Sequence, residues 1–500
     1  QDVVDWANKY LGPESYAIIY KREGKDPDEQ KIAAPKITPI VTNRDSQSEF
    51  LSEIQTSQVQ PIEPVFVDYK KDMSQFEAQP GIDVLYKKNE TNDIFTLIYV
   101  FNTGTENDPA LNLAFNYLSY LGTDKMTAEE IASEMYDIAC SFYMNAGANQ
   151  SSIQITGLSE NMGKAMEIVE GLIAGAKPDE AILENCKADM LKSRADAKLN
   201  QSRCFGALQR YLFYGGDFIR RTTLTDPALQ ALTSEQLLAK IGGLMGKQHE
   251  VLYYGPQKEA EVKSALAEHH KVAADLQPLE KKFSTLLPTD ANKVVLAQYD
   301  AKQLYYLQFS NRGEKFDVAA DPEITLYNEY FGGGMNTIVF QEMREARGLA
   351  YTAWATLATP SNANGDYSFY AFIATQNDKM QKAVEAFDDI INNMPESEKA
   401  FGIAKEALVS RLRTERTVKD GVLWSYLRTR DLGLDAPRDK QIFEKVQSMT
   451  LDDVKAAQQK WVKGRKYVYG ILGDIQDLDL NYLKTLGPIQ TVSQEEIFGY

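Results

Sequence analysis

Apolar residues fall at helical spacing, pass through a polar break and then crowd into a β-rich run at three places along this chain. Residues 2–20 (DVVDWANKYLGPESYAIIY), 234–254 (SEQLLAKIGGLMGKQHEVLYY) and 451–470 (LDDVKAAQQKWVKGRKYVYG) each read helix then strand. Thr233 with Gln236, and Thr450 with Asp453, set a hydroxyl three residues ahead of an acceptor side chain, the pattern of a helix start. A second unit also repeats. Residues 83–105 (DVLYKKNETNDIFTLIYVFNTGT) parallel 294–313 (VVLAQYDAKQLYYLQFSNRG), two strands joined by a polar turn, with Asn-x-Gly closing both.

Between these units Gly122 stands where Gly332 stands in the later copy, a spacing of 332 − 122 = 210 positions. That is the period of a duplicated domain and not of a short solenoid repeat. We therefore expect complete copies at 83–290 and 291–500, a closing helix and strand of a preceding domain at 1–23, and an inter-half linker at 24–82. Pro27, Pro35, Pro39, Pro61, Pro64 and Pro80 punctuate that linker, which leaves one short helix near 48–54. Strand alternation in 366–373 and 152–155, with helices over 379–391 and 404–415, predicts an α+β fold. Each domain is expected to be an antiparallel sheet covered by helices on one face.

Composition narrows the chemistry. Five hundred residues, 43% of them hydrophobic, fill two to four cores, and no window approaches eighteen uninterrupted apolar residues. A net charge of −17 without a basic run excludes a nucleic-acid binder. Cys140, Cys186 and Cys204 are odd in number and lack CxxC spacing, so they read as buried or partly buried thiols and not as a disulfide or metal framework. His249 stands alone and His269 and His270 are adjacent; with Ala at position 265 no pair lies one helical turn apart around a glutamate, so all three read as exposed or linker histidines.

The most telling stretch is 331–351, FGGGMNTIVFQEMREARGLAY. Gly332, Gly333 and Gly334 precede a helix-like run, and Arg344 lies seven positions before Tyr351, with Gly348 opening an apolar strand. A glycine-rich turn before a helix can cradle phosphate, but no lysine of the Walker type follows and GxGxxG spacing is absent.

This stretch resembles the second half of the M16 zinc metallopeptidases, the pitrilysin and insulinase type. The resemblance implies that Arg344 and Tyr351 are catalytic and reach across to substrate bound at zinc in another half, and that Gly332, Gly333 and Gly334 bind substrate and present the pair. A guanidinium offers a planar fork of donors to peptide carbonyls, and a phenol donates to an oxyanion.

The zinc motif itself, HxxEH, has two imidazoles on one helix turn with a glutamate to activate water. Its place before Gly122 reads Asn116-Tyr117-Leu118-Ser119-Tyr120, and before Gly332 it reads Leu326-Tyr327-Asn328-Glu329-Tyr330; a third ligand would fall near Asp189. The resemblance thus implies a half that binds no metal, whose zinc sits in an HxxEH-bearing N-terminal partner half, covalent or separate, with peptides as substrates. The alternative is an inactive M16-like scaffold subunit. The acidic chain leads us to expect basic peptides. The opening at Gln1, without signal-peptide features, looks cut; periplasm or cell envelope is the compartment we would assign first.

Overall fold

A computed structural model describes residues 1–22, 24, 48–58 and 60–500, so most of the expected linker lies outside the described residues. Residues 1–61 form one unit and residues 62–500 another. The first holds helix Asp2–Tyr10 and helix Glu49–Thr56, the latter capped by Ser48, whose hydroxyl accepts from Leu51 N at 3.1 Å. The strand expected after the first helix does not form: residues 16–20 join no ladder, and Ile18, Ile19 and Tyr20 are exposed. A β-rich run becomes a strand only when another strand accepts its backbone groups, and this unit has none among the described residues.

The second unit is built on two six-stranded sheets. The first contains β1 (Ser74–Gln79), β2 (Ile82–Lys88), β3 (Ile94–Phe101), β4 (Cys140–Ala146), β5 (Ser151–Leu158) and β6 (His249–Gly255), in the order β1-β2-β6-β3-β5-β4. The other contains β7 (Lys293–Gln298), β8 (Gln303–Lys315), β9 (Thr352–Ala358), β10 (Asp366–Gln376), β11 (Val468–Gly473) and β12 (Ile489–Val492), in the order β12-β7-β11-β8-β10-β9.

The duplication is visible in five strands of each sheet, β2-β6-β3-β5-β4 against β7-β11-β8-β10-β9, while the outer sixth differs: β1 precedes β2 and runs antiparallel to it, and β12 follows β11 and runs parallel to β7. Two points depart from expectation. The opening strands of each copy are not neighbours, because the closing strand inserts between them: β6 runs parallel to β2 and antiparallel to β3, and β11 does the same with β7 and β8. The sheets are therefore mixed and not wholly antiparallel, as a strand returning through a long helical crossover permits. The first sheet also starts inside the segment assigned to the linker, since β1 pairs with β2 through Ser74↔Tyr86 to Gln79↔Ile82.

Helices cover one face of each sheet, and the caps that the sequence signals are in place: Thr233 with Gln236, and Thr450 with Asp453, both close as capping boxes. The helices expected over 379–391 and 404–415 span Met380–Asn392 and Glu398–Thr414. Tyr117, Leu172, Leu237 and Tyr253 belong to the first core, and Tyr327, Phe331, Phe387 and Leu408 to the second. No helix among the described residues is long and apolar enough to cross a membrane.

The two outer faces are closed reciprocally. Helix Gln201–Thr222, from the first copy, lays Cys204, Leu208 and Leu212 on Val295, Leu307 and Phe309 of the second sheet. Helix Gly421–Asp431, from the second copy, lays Val422, Leu423 and Leu427 on Leu85, Ile98 and Leu252 of the first. Arg430 Nη2 donates to Glu250 Oε2 at 2.8 Å, Lys281 Nζ meets Asp431 Oδ2 at 2.6 Å, and the Tyr69 hydroxyl lies 2.8 Å from Ser425 Oγ. Each copy buries apolar surface on the other that it could not cover alone.

Candidate functional site

Helix Asp321–Phe331 ends at Gly332, and the reason for glycine there is contact. A Cβ at this position would press into the Asn328 carbonyl oxygen and lie 2.9 Å from the Ala355 carbonyl oxygen of edge strand β9, whose Ala355 N donates back to Gly332 O at 3.2 Å. Gly333 and Gly334 are different. A Cβ at either would meet only Trp354 Cβ at 3.5 Å or Thr337 Cγ2 at 3.6 Å, so packing does not require them to be glycine.

After Thr337 the chain makes one α-helical turn, Ile338–Phe340, that widens into π-helical turns over Gln341–Ala346. Such widening is uncommon and concentrates at functional sites. Gly348, at φ 57°, turns the chain out of the helix, and Leu349 N donates to Met343 O at 3.0 Å. Tyr351 N then donates to Ala374 O at 3.0 Å, which fastens this residue just ahead of β9 at the sheet edge.

These turns bring Arg344 and Tyr351 together. The guanidinium carbon stands 5.6 Å from the Tyr351 ring centroid and 4.9 Å from that of Phe340, while Glu345 Oε1 is a loose 3.6 Å neighbour of Arg344 Nε. Both side chains are exposed, Tyr351 to 72%. A cation over an aromatic face at an exposed site is worth about 0.5–1 kcal/mol, enough to bias the arginine's orientation without spending its donors. Neither Arg344 nor Tyr351 lines the groove that the glycine run does. Gly333 and Gly334 line that groove, of about 460 Å³, with Asn328, Glu329, Thr337 and Arg411. Glu329, the last acid of the second degenerate slot, pairs with Arg411 at 2.9 Å.

Neither slot has the side chains of a zinc centre. In the first, Tyr117 is buried and serves the fold: its hydroxyl lies 2.8 Å from Ser234 Oγ and accepts from Asp179 N at 2.7 Å. Asn116 Oδ1 accepts from Cys186 Sγ at 3.7 Å, and the three cysteines are free and buried, as expected of thiols without a partner. Among the described residues no group of three or more His, Cys, Asp or Glu could hold a metal ion.

The histidines correct the sequence reading. His249 and His270 are core residues, 4% and 1% exposed, and not linker or surface ones. His249 Nδ1 donates to the Lys247 carbonyl at 2.8 Å, and its Nε2 faces His270 Nε2 at 2.9 Å. His270 Nδ1 in turn lies 2.6 Å from Glu170 Oε1, which also accepts from the Tyr99 hydroxyl at 2.8 Å.

Donor counting fixes the protons. A carbonyl only accepts, so His249 carries its proton on Nδ1 and accepts at Nε2, and His270 must donate from its own Nε2. His249 stays neutral: burial first, and the neighbouring His270 second, push its pKa down to about 4, against the Lys247 carbonyl. No signal in the sequence joins residues 170, 249 and 270; only the placement of β6 does.

Together these features define a duplicated α+β protein with two slots that lack the zinc-ligand side chains and an exposed arginine–tyrosine pair. Residues 248–408 match the family described as the peptidase M16 inactive domain, and the stretch 331–351 that pointed to this family lies within them. An uncharacterized zinc protease of Rickettsia bellii is 23% identical over 312 residues, 60% of this chain and 70% of that protein. The peptidase M16 inactive domain of Pseudomonas fluorescens superposes with a TM-score of 0.63 at 18% identity, over 80% of this chain and 98% of that one. The periplasmic protease PqqL of Escherichia coli superposes with a TM-score of 0.61 at 14% identity, over 88% of this chain but 49% of PqqL.

Proposed function

We propose that this chain is the zinc-free half of an M16-type metallopeptidase. In this reading it binds peptide substrate and supplies Arg344 and Tyr351 to a zinc centre carried by an HxxEH-bearing half. One observation carries the reading. The turns between Gly332 and β9 set a guanidinium and a phenol side by side, facing solvent, on a fold whose own metal slots are replaced. Core packing gives no reason for two such side chains to meet in the open, whereas a substrate brought by a second half would meet both. The guanidinium then holds peptide carbonyls, and the phenol donates to the oxygen on which charge develops. Gly333 and Gly334, which packing leaves free, keep the approach beside them low. The compartment we propose for it is the periplasm or cell envelope.

The test is zinc-dependent cleavage of a quenched fluorescent peptide of no net charge by this chain, by an HxxEH-bearing half, and by their mixture. We expect only the mixture to cleave. Loss of a donor aimed at a developing oxyanion typically lowers the rate by about 10²–10³, so Tyr351→Phe and Arg344→Ala in the mixture should each cut it at least tenfold. A silent mixture, or variants as fast as wild type, would instead favour a non-catalytic scaffold.

A further inference from the structure

A cavity of about 640 Å³ lies between the first degenerate slot and helix Gln201–Thr222, with the last residues of the chain at its rim. Asn116, Asp189, Arg194, Arg203, Arg210 and Tyr500 are among the residues that line it. Its charge is opposite to that of the molecule. Three arginines and one acid line a pocket in a chain of net charge −17. At physiological salt the Debye length is about 8 Å, so a ligand inside responds to the lining and not to the distant acidic surface.

The arginines are not equivalent. Arg194 is engaged by Asp226, by the Leu224 carbonyl at 2.6 Å and by the Tyr500 ring at 4.4 Å. Arg203 and Arg210 lie seven residues apart and so share a helix face. Neither forms an ion pair among the described residues. Arg203 is exposed and its side chain donates to no partner among them, while the partly buried Arg210 donates to Thr222 Oγ1 at 2.6 Å and stands 5.1 Å from the Phe218 ring centroid. Burial pushes the Arg210 pKa down, against the attraction of Glu106 and Tyr214. The buried Thr223 Oγ1, from another lining residue, has no hydrogen-bond partner either. A partly desolvated cation beside an open cavity leaves room for an anion to complete it.

We propose that this cavity is a subsite for an acidic peptide segment, with an Asp or Glu carboxylate held between Arg203 and Arg210. The volume is that of a site for a multi-atom ligand, several times the size of one carboxylate, and the Asn112 and Asn116 amides of helix Leu111–Leu118, which also line it, can pair with a peptide backbone. The peptide class rests on the function proposed above; the charge preference rests on the cavity alone and reverses the basic preference expected from net charge.

The test needs neither zinc nor a second half. Fluorescence anisotropy of the full chain is measured with a fluorescein-labelled, end-blocked Glu–Ala peptide, with its Gln–Ala counterpart, and with glutarate and phosphate as competitors. We expect the Glu peptide to bind at least tenfold more tightly than the Gln peptide, and Arg203→Gln, at an exposed position that leaves the fold intact, to weaken it about tenfold. Arg210→Met should do the same. Equal binding of the two peptides, or unchanged affinity in Arg203→Gln, overturns the proposal. Displacement by glutarate or phosphate at the peptide's own concentration overturns the peptide assignment in favour of a small anion. Neither failure touches the cleavage test, whose substrate carries no net charge.

Discussion

Acidification should loosen the first sheet through a single ring. His249 is neutral in the folded chain with its pKa lowered from 6.5 to about 4, chiefly by burial. In the unfolded chain it takes up a proton as the pH falls through 6.5, and the folded chain resists until about 4. Its contribution is therefore fully present above pH 6.5, is lost between 6.5 and 4, and changes no further below. Some 2.5 pH units at about 1.4 kcal/mol each make the loss roughly 3 kcal/mol.

The assay is hydrogen exchange of β3 and β6 across a urea series at pH 7, 5.5 and 4.5. It reports opening of this sheet without requiring the whole chain to unfold in one step. The comparison is His249→Phe, which keeps a ring beside Phe101, at 4.5 Å between centroids, but orphans the His270 Nε2 donor. At pH 7 the variant should be less stable by about 1–3 kcal/mol, the cost of an unsatisfied buried donor. Between pH 6.5 and 4 it should lose about 3 kcal/mol less than wild type. Parallel pH curves for the two proteins would refute both the neutral His249 and the proton arrangement derived from it.

Two further outcomes follow from packing. Gly332→Ala should destabilise by about 1–3 kcal/mol, because its methyl meets two carbonyl oxygens that belong to rigid elements, whereas Gly334→Ala should stay within about 0.5 kcal/mol; thermal melts of both check this, and equal shifts would sink it. Leu423→Ala should cost about 2–5 kcal/mol and speed exchange in β2, β3 and β6, because this fully buried side chain packs on the first sheet although it belongs to the second copy. An increase confined to residues 293–500 would contradict the reciprocal closure.

The local signals in the sequence were the dependable ones. Thr233 and Thr450 announced their helices because a cap is a contact across three residues. What escaped was set by strand order. Nothing in the alternation of 249–255 says that it will slide between β2 and β3, so neither the parallel pairings nor the meeting of His249 with His270 and Glu170 could be read. Residues 16–20 carry a strand's composition and form none here, because composition supplies a preference and a neighbour supplies the ladder. The widened turns around Arg344 were hidden too, since over six residues the apolar pattern of a π-helix barely differs from that of an α-helix.

The crossing of helices Gln201–Thr222 and Gly421–Asp431 bears on how such a molecule can change over generations. In a solenoid each repeat leans on its neighbours, and repeats can be added or dropped one at a time. Here each copy carries the lid of the other. Deleting either one strips a six-stranded sheet of half its cover, so this duplication is heritable only as a pair, and a substitution on one lid is answerable to selection on the opposite core.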